Sequence, residues 1–430
     1  MNNEREFKDL PEGWKWVRLG DKDYFKIIGS GIEYFEKFKN YISTNSVQGT
    51  KITHIEDVIT YKNRPSRANM QPKKGRLTFA KMRNTVKVLL IDEKLEKDYI
   101  LSTGFALIEA TINPKFVYQY LISHYFNRQK DILAEGTTQE AISNDDFNKI
   151  FIIFPENKFE QQKIAEILET VDNAIEKTEK IIEKYKRIKQ GLMQDLLTKG
   201  IDENGNIRDE KTHKFKDSPL GKIPEEWEVV RLGEVGEIVM GQSPASALVN
   251  QEGNGIPFLQ GSAEFGVKYP SPKNWIVKPL KLAPNNSILI SIRAPVGDLN
   301  IANSVYCIGR GLSAIKVNNS KVYNYFIWFI LYLFRDMLVK MSQGSTFEAV
   351  GYNELNNFQI PLPTLPEQQR IASILSQIDQ TIEKEEYYKE KLQKIKQGLM
   401  QDLLTGKVRV NHLVEEKENE QRYKSNLTRT

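Results

Sequence analysis

Two stretches of the chain carry the apolar seam of a long helix. After Pro155, apolar side chains fall at Ile164, Leu168, Val171, Ile175, Ile182, Tyr185, Leu192 and Leu196, with Thr178 and Lys189 filling two places. Steps of four and three in alternation are a heptad pattern. After Pro366 the same steps run through Ile371, Leu375, Ile378, Ile382, Leu392, Leu399 and Leu403, with Glu385 and Lys389 on the seam. Proline suits the first turn of a helix, where its missing N–H is no loss. At 1.5 Å per residue, a segment of about 38 residues makes a rod of roughly 57 Å. A lone rod of this kind would not be stable, and two of equal length in one chain are expected to pair antiparallel as a coiled coil.

Between the seams the pattern changes. VKVLLI (86–91), FIIF (151–154), SILISI (287–292) and SAIKV (313–317) have strand character. FVYQYLISHYF (116–126) and VYNYFIWFILYLF (322–334) have helix character at equivalent places. The fold class expected is α/β, in mixed α+β globular domains arranged as a tandem pseudo-repeat, separated by two long helices. The boundaries expected are a first globular domain over 1–155, a helix over 156–199, a connector over 200–222, a second globular domain over 223–363, a helix over 364–406 and a tail over 407–430. The connector is polar and rich in turn residues. The tail reads as mobile.

The chain repeats itself. LPEGWKWVRLG at 10–20 returns as IPEEWEVVRLG at 223–233. EQQKIAEIL at 160–168 returns as EQQRIASIL at 367–375, and GTTQEAIS at 136–143 as GSTFEAVG at 344–351. IKQGLMQDLLT occurs at 188–198 and again, letter for letter, at 395–405. Repeated segments flank dissimilar ones, so one scaffold carries two different readouts. A core tolerates many sequences. An identical repeat therefore points to a surface that two copies of one partner read, with Gln190, Gln194, Asp195, Gln397, Gln401 and Asp402 as docking candidates.

Charge sharpens the picture in the first domain. The net charge is +5, a mild excess that fits a nucleic-acid partner without requiring one. Residues 58–91, however, hold Lys62, Arg64, Arg67, Lys73, Lys74, Arg76, Lys81, Arg83 and Lys87 and no acidic residue. Lys and Arg neutralise phosphates, and Arg, Asn and Gln read base edges in paired hydrogen bonds. Arg64 and Arg67, beside Pro65 in a loop, are the preferred base readers. In the less basic second domain the candidates are Gln242, Ser243, Gln260, Lys268, Lys273, Lys278, Arg293 and Arg310. Thr138 and Thr346, in the GTT and GST loops, either contact DNA or cap the adjoining helix.

Catalytic signatures are lacking. There is no GxxxxGK[ST] phosphate loop, no Gly-rich dinucleotide fingerprint in context and no Asn-Pro-Pro-aromatic motif. Gly309-Arg310-Gly311 reads as a tight backbone turn. The four histidines, His54, His124, His213 and His412, have no metal-ligand spacing. The one cysteine, Cys307, lies in an apolar run and reads as a buried inert thiol. A disulfide-free chain whose charged first residues, MNNEREFKDL, lack the apolar run of a secretion signal is expected in the cytoplasm.

The tandem Pro-x-x-Trp-x-x-x-Arg-Leu-Gly, Glu-Gln-Gln and Lys-Gln-Gly-Leu-Met-Gln-Asp-Leu-Leu-Thr segments resemble the specificity subunits of type I restriction-modification systems, from Pro11 to about Val410. The first copy departs from the family form at its helix start, where FPENKFEQQ stands for PLPTLPEQQ. The resemblance implies two target-recognition domains, each reading one half of a bipartite site in double-stranded DNA. It also implies helices that set the spacing and dock two methyltransferase subunits, joined by restriction subunits. S-adenosylmethionine, ATP and Mg would then belong to those partners and none to this chain. The competing readings are a coiled-coil scaffold with weak DNA binding, a coiled coil used for homodimerisation, and a self-contained nuclease or methyltransferase with unrecognised motifs.

Overall fold

The computed structural model describes residues 10–134, 140–318, 320–342, 349–411 and 413. The chain divides into two compact units, residues 1–179 with 388–430, and residues 180–387. The helix Lys158–Thr198 therefore begins in the first unit and ends in the second, and the helix Leu365–Leu403 does the reverse. Each unit holds one globular domain, the start of its own helix and the end of the other.

The first unit is layered. One four-stranded sheet orders Asp57–Ile59, Lys39–Ile42, Tyr99–Ser102 and Ala68–Met70; a second orders Phe25–Ile28, Phe105–Ala110, Leu77–Ala80 and Val88–Leu90. Alternation along Phe105–Ala110 shows why the layers stack. Phe105 and Leu107 join Ile42, Met70 and Leu101 between the sheets. Ala106 and Ile108 face the other way, onto Phe116, Tyr120 and Phe126. A strand presents successive side chains to opposite faces, and here both faces are covered. The second unit repeats this: Leu289, Leu312 and Ala314 pack between its sheets, while Ile288, Ile290 and Ile315 pack on Phe326, Ile327 and Ile330.

The single helix expected over 116–126 is two, Pro114–Ile122 and His124–Leu133. Ser123 breaks it. Its backbone is extended, and its hydroxyl accepts from the Phe126 N–H, capping the second helix.

The repeated segments meet at one joint in each unit. Trp14–Arg18 pairs antiparallel with Phe151–Pro155, and Glu228–Arg231 with Gln359–Leu362. Gln161 donates to the Pro155 carbonyl at 2.8 Å and accepts from the Asn113 N–H at 2.9 Å. Gln368 donates to the Pro363 carbonyl and accepts from the Tyr323 N–H, both at 2.8 Å. Glu160 takes both nitrogens of a fork from Arg409 (2.7 and 2.8 Å). Glu367 is gripped by Arg208 (2.5 and 3.3 Å) and accepts from Trp227 Nε1 at 3.2 Å. Arg208 lies in the connector, so that polar segment folds onto the second unit.

Two glycines permit these joints. Gly200 and Gly406 have φ of +65° and +73°, and a Cβ on either would strike the Trp227 or the Trp14 ring. Inside each unit the helical stretches run antiparallel. Lys396 pairs with Asp172 at 2.6 Å in the first. In the second, Lys186 pairs with Glu386 and Lys189 with Asp379, partner numbers falling as the first rise.

Candidate nucleic-acid interface

The acid-free run does not form one free basic face. It is cut into three places. Lys74, Arg76 and Arg83 find acids brought in by other elements: Lys74 meets Glu93, Arg76 meets Glu109 at 3.2 Å, and Arg83 meets Glu140 at 2.6 Å. Glu93 holds the Lys74 ammonium above its ordinary pKa. Lys87 donates to the Thr44 carbonyl at 2.7 Å. Lys81 is half-buried, and that burial lowers its pKa. Lys62, Arg67 and Lys73 are exposed, and their side chains have no partner among the described residues. Exposed pairs hold little energy, so Lys74 and Arg83 stay available to phosphates at the cost of breaking a pair, whereas the Arg76 side chain is largely covered.

Lys62, Arg64 and Arg67 belong to the loop 60–67, which links the two edge strands of the first sheet. Because those strands end at opposite ends of the sheet, the loop crosses its outer face. A second loop, 29–38, joins it there. Its Ile32 and Phe35 pack onto Tyr41, Ile59, Ala68 and Ile100. Tyr61 ties the two loops: Tyr34 and Phe35 meet it edge-on at 5.2 and 5.7 Å. The Arg64 guanidinium lies 4.3 Å from the Tyr61 ring centre and donates to the Tyr61 carbonyl. Arg64 is thus held in place with other N–H groups still free, which suits a paired contact to a base edge. Residues 29–38 hold no basic run, and their signal in the sequence is EYFEKF, whose three aromatics in six residues are more than a solvated loop needs.

The hairpin after Leu77–Ala80 makes a second surface. Lys130, 1% exposed, donates to the Met82 and Thr85 carbonyls at 2.7 Å each, and burial lowers its pKa against the opposing pull of Asp131. Its counterpart in the second unit is Arg335, on Asp298 at 2.5 Å and the Val296 carbonyl at 3.5 Å. Met82 bridges to Ala141, and Arg293 to Ala349. Exposed Arg83 and Arg293 therefore stand on matching hairpins. Thr138 and Thr346 lie outside the described residues.

In the second unit, Gln242, Ser243, Gln260 and Arg310 come together. The Arg310 N–H donates to Ser243 Oγ at 3.3 Å, and the Gln242 N–H to the Ile308 carbonyl at 3.0 Å. Three backbones approach closely here: a Cβ on Gly241 would sit 2.1 Å from the Gly309 oxygen, and one on Gly309 or Gly311 would crowd the Gln260 oxygen. The Gly-Arg-Gly turn thus presents Arg310. Lys273 and Lys278 flank the strand Asn274–Ile276 and are exposed, away from this cluster in sequence. Lys268 instead stacks over Tyr325 at 4.8 Å. Cys307 is buried and free.

The repeated helix ends divide by burial. Leu196, Leu197, Leu403 and Leu404 are core. Gln190, Gln194, Gln397 and Gln401 are exposed, while Asp195 and Asp402 are half-buried and paired with Lys199 and Lys407. Among the described residues no cluster of His, Cys, Asp or Glu suits a metal ion, and no helix is long and apolar enough to cross a membrane.

The family model for the Type I restriction modification DNA specificity domain matches twice, at residues 11–187 and 224–396. The chain belongs to this family. Its halves are two copies of the specificity domain in tandem, and the role of a specificity subunit is recognition, without catalysis. A putative type I restriction enzyme MjaX specificity subunit from Methanocaldococcus jannaschii is 36% identical over 423 residues, spanning 94% of this chain and 96% of that one. The MjaVIII specificity subunit of the same organism is 27% identical over 95% and 97%. Among solved structures, a chain from work on assembly and conformational transition of the type I R-M system is 30% identical, with TM-score 0.61, over 93% of this chain and all of that one. The S subunit of M. genitalium, at 16% identity and TM-score 0.58 over 92% and 96%, shares the fold.

Proposed function

We propose that each unit reads one half of a bipartite, asymmetric site in duplex DNA through exposed loops: in the first unit those on the outer face of the sheet that holds Lys39–Ile42, in the second the turns that follow the strands Gly236–Met240, Ile256–Leu259 and Tyr306–Ile308. In the first unit the readers are Lys62, Arg64 and Arg67, with Arg83 on the neighbouring hairpin. In the second they are Gln242, Ser243, Gln260 and Arg310, with Arg293. The observation that carries this reading is the contrast between the exposed loops of the two units. The joints repeat the same Gln bonds and the same buried Glu–Arg fork, whereas the exposed candidate readers differ in kind, Lys62, Arg64 and Arg67 beside Tyr61 against Gln242, Ser243, Gln260 and Arg310. A duplicated scaffold with unlike polar tips suits two half-sites of unlike sequence.

The helices serve assembly. Gly191 and Gly398 sit inside exposed helix, and a Cβ on either would touch nothing in this chain. A helix-interior glycine costs about 1 kcal/mol relative to alanine, and no packing here offsets it. Gln190, Gln194, Gln397 and Gln401 surround those bare positions, so two methyltransferase subunits dock on them, one per copy. S-adenosylmethionine, ATP and Mg then act on the methyltransferase and restriction subunits. Methylation mapping of DNA from cells expressing the methyltransferase with and without this chain tests the reading. A split motif methylated only when the chain is present supports it. A complex that assembles and methylates no such motif favours a scaffold.

A further inference from the structure

The first unit exposes two aromatic side chains where a solvated loop has no use for them. Tyr34 is 68% exposed and Phe38 is 71% exposed. Both lie on the loop 29–38, which is well anchored. The Gly31 N–H donates to the Asn69 carbonyl at 2.7 Å, the Glu33 N–H donates to Gln71 Oε1 at 3.2 Å, and Ile32 and Phe35 pack on the sheet. Phe38 directly precedes the strand Lys39–Ile42, and Lys39 is the register partner of Ile59. Phe38 therefore stands at the same end of the sheet as Tyr61, whose ring braces Tyr34. The rim is basic: Lys37, Lys62 and Arg67 are exposed, their side chains without a partner among the described residues, Arg64 lies on Tyr61, and the acids Glu33 and Glu36 only partly offset them.

We propose that Tyr34 and Phe38 are specificity-determining wedge residues for duplex DNA. They enter at one base step of the half-site read by the first unit, unstacking it while the basic rim holds the phosphates. Apolar side chains inserted between base pairs kink the duplex, and the ease of kinking depends on the step. The first unit thereby selects a deformable step in addition to base edges. The second unit has aliphatic Val277 and Leu280 exposed in the loop after Asn274–Ile276, and that loop holds no exposed aromatic pair, so its half-site serves as an internal control. This inference rests on the reading that the first unit binds DNA.

The test uses the full chain in complex with its methyltransferase, without S-adenosylmethionine. The probe is a duplex carrying the motif found by methylation mapping, with 2-aminopurine placed at each position of both half-sites in turn. The expected result is a fluorescence rise at one step of one half-site, apart from the adenine that becomes methylated. Tyr34→Ala and Phe38→Ala abolish that rise and weaken binding ten-fold or more, Tyr34→Phe retains it, and signals in the other half-site are unchanged. Lys62→Ala weakens binding and keeps the rise. If the wild-type complex binds the duplex specifically but no such rise occurs, or if the rise survives in both alanine variants, the wedge is overturned and DNA reading stands. If the wild-type complex binds the motif no better than a scrambled duplex, the DNA reading itself falls.

Discussion

Replacing Arg409 with methionine leaves the Glu160 carboxylate buried and alone. Glu160 is 1% exposed, and its two oxygens take the Nε and Nη2 of Arg409. The arginine also donates to the Glu12 carbonyl at 2.8 Å, so it ties the helix start to the segment before Trp14. Removing one partner of a buried pair costs about 3–5 kcal/mol, because an uncompensated charge remains. The equivalent change in the second unit, Arg208→Met, is expected to cost less. Glu367 would keep the Trp227 indole N–H at 3.2 Å and the Ile201 N–H at 2.9 Å, whereas Trp14 Nε1 makes no hydrogen bond. Hydrogen bonds to a charge contribute about 1.5–3 kcal/mol each, so the two that remain offset most of the penalty and bring the expected loss to roughly 0–2 kcal/mol. Hydrogen exchange reads both units in one experiment, through the amides of Phe151–Pro155 and of Gln359–Leu362. Arg409→Met should deprotect the first strand strongly and leave the second unchanged. Adding Glu160→Gln should restore at least half the loss. A cost below about 1 kcal/mol, or an equal cost for Arg208→Met in its own unit, would refute the reasoning.

Gly191→Ala and Gly398→Ala should each stabilise the chain by about 0.5–1 kcal/mol, read in urea melts, while weakening assembly with the methyltransferase, read by analytical ultracentrifugation. Arg67→Ala should reduce the salt dependence of DNA binding by about one phosphate contact or relax one base of the motif; Arg76→Ala, already paired with Glu109, should do much less. Asp146 is held at about 2 by hydrogen bonds from Lys149 and Ser143. Its folded pKa lies below the ordinary carboxylate value of about 3.9, so its stabilisation is complete above that value and disappears as pH falls through about 2. Asp146→Asn should therefore lower the melting temperature at pH 6 and make no difference near pH 2. Inserting one helical turn, about 5.4 Å, into both long helices should lengthen the preferred spacer between half-sites by one or two base pairs of about 3.4 Å; methylation mapping that returns an unchanged spacer would remove the ruler.

The helices and the duplication were legible because they repeat over many residues. Heptad steps and an identical segment accumulate evidence along the chain, and no distant contact can overrule them. The short strands were harder. Lys39–Ile42 reads KNYI and Tyr99–Ser102 reads YILS, too brief to show a period, and their pairing is parallel, set by residues far apart in sequence. The basic run illustrates the same limit from the side of charge. Within 58–91 no acid is visible, yet Glu93, Glu109 and Glu140 arrive through the fold and occupy Lys74, Arg76 and Arg83. A charge run therefore marks a region, and only tertiary contacts decide which cations in it remain free.

The repeated segments carry two kinds of information that the sequence runs together. In IKQGLMQDLLT, identity at the leucines follows from the joint, since Leu196, Leu197, Leu403 and Leu404 each fill a core beside the joint glutamate. Identity at the glutamines and the glycine has no such cause, because those positions are exposed and a Cβ at the glycine meets nothing. Core positions tolerate volume-conserving exchange among Leu, Ile and Met at a cost below about 1.5 kcal/mol, so packing alone would let the two copies drift apart. What a fold does not require, and two copies nevertheless share, is best assigned to a partner that meets both. The same logic run backwards applies to the loops: Tyr34, Phe38 and Arg64 have no match among the described residues of the second unit, and it is that lack of a match which supports the proposal that they read one half-site rather than form part of the frame.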